Sequence, residues 1–145
     1  MTVRHSSAFD TAAHRAHRWV DQVAAGFPTA DEVFVHRVVR AWLHLVRDEL
    51  AVPAAARFAS QLPELLRGTF YEGWKPEHVP YRSDPRTFSG RFAEAAGIRG
   101  KDVPEVLSVV TSRLDLLMSG SLVDKVLGTL PAELRDLLRG EAGDS

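Results

Sequence analysis

With 145 residues, a net charge of −1, 45% hydrophobic and 26% charged residues, the chain has the makeup of one globular domain, large enough to bury about two-thirds of its unfolded surface. The balanced charge argues against a nucleic-acid partner, which calls for a strong basic excess, and the absence of cysteine rules out disulfides, thiolate metal sites and thiol nucleophiles. No signal-like apolar run opens the sequence and no window reaches the ~20 apolar residues of a membrane span, so a cytoplasmic protein without a membrane partner is expected.

Residues 1–7 are polar and read as a loose tail. From Ala8 the apolar positions Phe9, Ala12, Ala13, Ala16, Trp19, Val20, Val23 and Phe27 keep helical spacing, with His14, Arg15, His17, Arg18 and Asp21 on the other side. Gly26 and Pro28 end this helix, and Thr29 with Glu32 three residues on has the spacing of a capping box for the next. The second helix is expected from about residue 30 to 50, with Val35, Val38, Val39, Trp42, Val46 and Leu50 as its inner stripe. Phe34 and Leu45 widen that stripe, so this helix should be touched from more than one side. Pro53 suits the first turn of a third helix, and Pro63 forces a break before a short further helix to about residue 69.

Between Gly73 and Asp84 the prolines Pro76 and Pro80 and the lack of periodicity predict an extended connector, anchored by Trp74, Val79 and Tyr81. Ser83 or Asp84 then caps a helix carrying Phe88, Phe92, Ala95 and Ala96. Asp102 caps the next, with Val103, Val106, Val110, Leu114 and Leu117. Ser121 opens a third, with Leu122, Val126, Leu127 and Leu130, and Pro131 marks a second break before Leu134, Leu137 and Leu138. At an offset of 68 residues (131 minus 63), Val38 meets Val106, Trp42 meets Val110, Val46 meets Leu114, Phe58 meets Val126, and Leu62-Pro63 meets Leu130-Pro131. The expectation is therefore an all-α fold of about six main helices. They form two tandem three-helix repeats sharing one core, at 8–69 and 85–139, joined by a connector over 70–84, with tails at 1–7 and 140–145.

The run Gln61-Leu62-Pro63-Glu64-Leu65-Leu66-Arg67-Gly68, flowing into Tyr71-Glu72-Gly73-Trp74-Lys75-Pro76, resembles the signature of domain-of-unknown-function family 2267. A second Leu-Pro-x-Glu-Leu-Arg copy at Leu130–Arg135 completes the resemblance, which extends from about Thr11 to Leu138. It implies a two-repeat helical bacterial protein and carries no activity or site residues with it.

No Gly-x-Ser-x-Gly elbow and no phosphate loop is present, and the carboxylates Asp31, Glu32, Asp84 and Asp102 stand at expected helix starts, where they act as caps. No catalytic residue, metal ligand or cofactor is assigned. Five of the six histidines fall in the first 44 residues, but the inner stripes argue against His14, His17 and His36 meeting. Two candidate binding regions remain. One is the solvent-facing stripe His36, Arg40, His44 and Arg47 on the second helix, read either as a solvated cationic face or as a surface that docks an acidic protein partner or a second copy. The other is Tyr71, Glu72 and Trp74, which either anchor the connector or line a ligand groove. The function expected is a non-enzymatic protein-interaction module. The alternative is a metal- or small-ligand-binding protein using the N-terminal histidines or the central aromatics.

Overall fold

The computed structural model describes residues 7–28 and 31–141. Among these residues there are no strands. The α-helices are α1 (Ala8–Ala24), α2 (Glu32–Asp48), α3 (Val52–Ser60), α4 (Glu64–Tyr71), α5 (Pro85–Ala96), α6 (Val103–Leu117), α7 (Leu122–Leu127) and α8 (Ala132–Arg139), with 3-10 turns at Pro76–His78 and Gly100–Asp102. Against about six main helices expected, the described residues hold eight, since the segments after Leu62-Pro63 and Leu130-Pro131 are each helices of 8 residues. Pro63 and Pro131 hold nearly the same backbone at these starts, φ −57° and ψ 152° against φ −56° and ψ 147°. A proline that lacks an N–H sits there without cost, since the first N–H groups of a helix have no intrahelical acceptor.

The caps depart from expectation in detail. Ser7, read as part of a loose tail, starts α1 in a full capping box: its hydroxyl accepts from the Asp10 N–H and the Asp10 carboxylate accepts from the Ser7 N–H. Asp31 caps α2, accepting from Val33 N–H at 3.0 Å; Thr29, expected in that role, lies outside the described residues, as do the rest of the amino-terminal tail and residues 142–145. Asp84 caps α5 through the Thr87 N–H, with Pro85 in the first turn as expected. Asp102 makes no side-chain cap for α6, because the 3-10 turn places its carboxylate against Arg99 instead. Gly140 ends α8 in the left-handed conformation, φ 74°, so the first residues of the expected carboxyl-terminal tail belong to a helix cap.

α2 is the axle of the fold. It touches α1, α4, α5 and α6, which is what a stripe widened to Phe34 and Leu45 requires, and Val35, Val38, Val39, Trp42, Leu43, Val46 and Leu50 are buried along it. Trp42 is fully buried, and its indole N–H donates to Thr111 Oγ1 on α6 at 3.0 Å; the Thr111 hydroxyl donates in turn to Leu107 O. A row of rings leaves this centre for the surface: Trp42, Phe58, Phe70, Tyr71 and Trp74 follow one another at centroid separations of 5.8, 5.5, 5.3 and 5.2 Å. The buried apolar side chains from α1 to α8 form one cluster. The helices reach across the chain to build it, with α5 resting chiefly on α2 and α1 extending to α6. Phe9, expected on the inner face of α1, is instead 85% exposed, and Ala95 of α5 is exposed as well.

Several residues of the Gln61–Arg67 run have structural tasks. The Gln61 side chain accepts from Ser119 N–H at 3.0 Å and so ties the end of α3 to the loop before α7. Leu62 and Leu66 are core residues, and Arg67 folds back to donate to Ala59 O in the last turn of α3 and to Leu62 O just beyond it. Gly73, at φ 74°, makes the turn that returns Trp74 to the core surface.

The carboxyl-terminal end of the connector is held by the end of α2. Tyr81 N–H donates to Asp48 O at 2.7 Å, the Arg82 guanidinium to Glu49 O, and both the N–H and the hydroxyl of Ser83 to the Glu49 carboxylate. Arg91 of α5 lies over the Tyr81 ring, 4.9 Å from its centre. The Val79–Pro80 peptide bond is cis.

Candidate functional site

The two regions singled out in the sequence prove to be one place. α4 and the Gly73 turn lie along the His36–Arg47 stripe of α2, so the chain's own segment covers most of that face. His36, at the amino-terminal end, is exposed. One turn on, Arg40 donates through Nε and Nη2 to a single oxygen of Glu72, at 3.2 and 2.8 Å. His44 is largely covered, with its Nε2 2.7 Å from Thr69 O. Arg47 is 4% exposed and donates to Phe70 O at 2.8 Å, Glu72 O at 2.6 Å and the Asp48 carboxylate.

The expectation of a continuous solvent-facing cationic stripe is therefore corrected. A guanidinium presents five donors in a planar fork, and the unpaired carbonyls ending α4 supply acceptors for them, so Arg47 serves as a buried C-terminal cap for α4. Tyr71 and Trp74 belong to the aromatic row and pack against the core, with Trp74 half-buried. Of Tyr71, Glu72 and Trp74, Glu72 is the exposed one.

The electrostatics follow from this arrangement. Burial lowers the His44 pKa below the ordinary histidine value, and the Arg47 and Arg40 charges add to that effect against the opposing hydrogen bond to Thr69 O. Facing a carbonyl oxygen, His44 Nε2 acts as the donor. The hydrogen bond and charge of Arg40 hold Glu72 below the usual carboxylate range. Glu49, 1% exposed, is pushed up by burial, opposed by the two Ser83 donors and the Arg82 and Arg91 charges. Glu49 carried no sequence signal: an acid beside Asp48 at a helix end reads as solvated until the connector folds over it.

A second feature escaped the sequence reading because it needs three helices at once. Ala13, Ala16, His17 and Val20 of α1, Glu32, Val33 and His36 of α2, and Leu65 and Leu66 of α4 line a groove of about 500 Å³. Its floor is apolar and its rim carries two histidines and a glutamate. Val33 is 67% exposed and Leu65 50% exposed beside it, and Phe9 continues the Ala13–Ala16–Val20 face of α1 by one turn. His17 and His36, expected to stay apart on outer faces, line this same groove, because α1 and α2 meet along their flanks rather than only through their inner stripes. His17 Nε2 lies 3.2 Å from Glu32 Oε2 across the α1–α2 contact. The run of alanines at positions 12, 13 and 16 in the α1 stripe was the available sequence signal for a depression there.

Among the described residues, no helix is long and apolar enough to cross a membrane. No curated protein matches the chain. Residues 16–137 match the family described as an uncharacterized conserved protein (DUF2267), and the chain belongs to this family.

Proposed function

We propose that this protein is a soluble, cytoplasmic, non-enzymatic interaction module whose docking face is the α1–α2–α4 groove. The occupant is an amphipathic helix of a partner protein, with an apolar stripe flanked by acidic residues. The observation that carries this reading is the gathering of exposed Val33 and Leu65 around one apolar depression, with Phe9 on the same face of α1. The floor along Ala13–Val20 is about two helical turns long, which suits two or three apolar anchors at i, i+3 and i+4. Charge complementarity supports an acidic flank. His36 lines the groove and Arg40 follows one turn further along α2, and the exposed Arg40–Glu72 pair, with side chains 49% and 57% exposed, is of the kind that contributes little and exchanges readily with a partner's carboxylate. The non-enzymatic part of the reading is supported by the fate of the buried polar groups at the end of α2: His44 and Arg47 are consumed in tying it to α4, and Glu49 in tying it to the connector.

The two-repeat arrangement belongs to the same proposal. Its support is the matched backbone at Pro63 and Pro131, the 68-residue offset of core positions, and reciprocal packing in which α1 lies on α4 and α6 as α5 lies on α8 and α2. On this view the units spanning 8–69 and 85–139 arose from one helical unit, and only the first kept an open groove.

The test is a photo-crosslinking amino acid placed at position 65 in native host cells, with position 116 as a control, since Leu116 is exposed on α6 away from the groove. The expected result is one partner linked through a helix with an acidic flank, and loss of that product in Val33→Glu. Products no different from the position-116 control, or linkage only to a second copy of this chain, would overturn the proposal.

A further inference from the structure

We infer that His17, Asp21 and Glu32 form a binding site for a divalent first-row transition cation, with zinc the best fit. His17 and Asp21 are one helical turn apart on α1 and so share a face. Glu32 is the first residue of α2, set opposite them by the loop between the two helices. One donor atom from each lies within 4.8 Å of the other two, and His17 Nε2 and Glu32 Oε2 are already 3.2 Å apart. A cation bonded at about 2.1 Å holds neighbouring tetrahedral donors about 3.4 Å apart, so only Asp21 has to turn inward. All three side chains are exposed, with His17 59% and Glu32 62% exposed, and can make that turn without disturbing the core.

Charge gives a second, independent reason. Two carboxylates share this corner with an imidazole as their neighbour, and among the described residues neither is paired with a lysine or arginine: Glu32 meets only His17, and Asp21 makes no ion pair. A dication relieves that repulsion, whereas a simple His–Glu pair would need no third donor. One imidazole nitrogen with two carboxylate oxygens favours zinc, cobalt or nickel over magnesium and calcium, which take oxygen donors. The cation would clamp α1 to α2 at the rim of the groove, and the site stands whether or not a helix docks there.

The experiment uses the untagged full chain stripped with chelator, titrated calorimetrically with zinc, and with cobalt followed by visible absorption. Expected are one equivalent bound, a cobalt spectrum with a nitrogen donor, and a rise in melting temperature. His17→Ala and Glu32→Gln should each lower zinc affinity on the order of 10- to 100-fold, while His78→Ala, at an exposed site in the connector, binds as the parent does. Circular dichroism confirms that the variants are folded. Unchanged zinc binding in His17→Ala, no stoichiometric binding by the parent chain, or equal affinity for calcium would each overturn the assignment.

Discussion

Trp42 shows how much a single side chain can carry. It fills the space between α2, α3 and α6 and spends its one polar atom on Thr111, so Trp42→Ala should cost about 3–5 kcal/mol, read as a lowered denaturation midpoint. Arg47 matters for a different reason. It would seem a natural surface charge to reverse, yet its donors satisfy Phe70 O and Glu72 O beneath the surface. Arg47→Met should therefore cost about 1–3 kcal/mol or more through the orphaned carbonyls, and a glutamate there would damage the fold before it could report on docking. His44 sets the direction of the pH response. Because its pKa in the folded state is lowered, the unfolded chain binds the proton more readily, and stability is lost as pH falls below the ordinary histidine value toward the folded one. Acid should loosen the end of α4 rather than tighten a docked partner. His44→Gln, which keeps a donor for Thr69 O, should flatten the loss of stability between about pH 7 and pH 5; an unchanged slope would assign the effect to other groups. Glu49 works with the opposite sign: a raised pKa favours the folded protonated form, so its contribution is present at low pH and declines as pH rises through the folded value.

At the scale of elements, the segment from Phe70 to Ser83 is the part most dependent on its surroundings. It has one 3-10 turn of its own, and its order comes from the aromatic row at one end and the last turn of α2 at the other. Trp74→Ala should release the first of these anchors. Limited proteolysis should then cut between residues 73 and 84 faster than in the parent chain, and unchanged cleavage would mean that the Glu49–Ser83 anchor suffices alone. The helices themselves were legible from sequence, because apolar periodicity, the prolines at 53, 63, 85 and 131 and the glycines at 26, 97, 120 and 140 mark their faces and ends. Side-chain destinations were less so. The spacing of His36, Arg40, His44 and Arg47 correctly puts them on one face, but spacing cannot tell which other segment will lie on that face. The groove was hidden for the same reason, since it requires α1, α2 and α4 together while a periodicity reads one helix at a time.

For the whole molecule, one buried cluster runs through all eight helices, and the burial of Leu43, Phe58, Phe88, Leu107 and Leu134 shows how evenly its weight is spread. The overall class was legible because this continuity is written in composition and period. The assignment of helices to neighbours was not, because it depends on which loops let a helix cross over. That crossing bears on how the chain acquires its structure. With α5 resting on α2 and α1 reaching α6, neither half possesses a complete interior, and each would expose its partner's seat if made alone. A polypeptide ending at residue 75 and another beginning at residue 76 should therefore each be largely unstructured in isolation, yet regain the helical signal of the intact protein when mixed, with a midpoint that depends on their concentration. Independent folding of either piece, seen as a sharp concentration-independent melt, would show that the halves are self-sufficient. In a ribosome-bound chain the same dependence would delay stable structure until α5 has emerged to cover α2, making the last third of synthesis the step at which this protein commits to its fold.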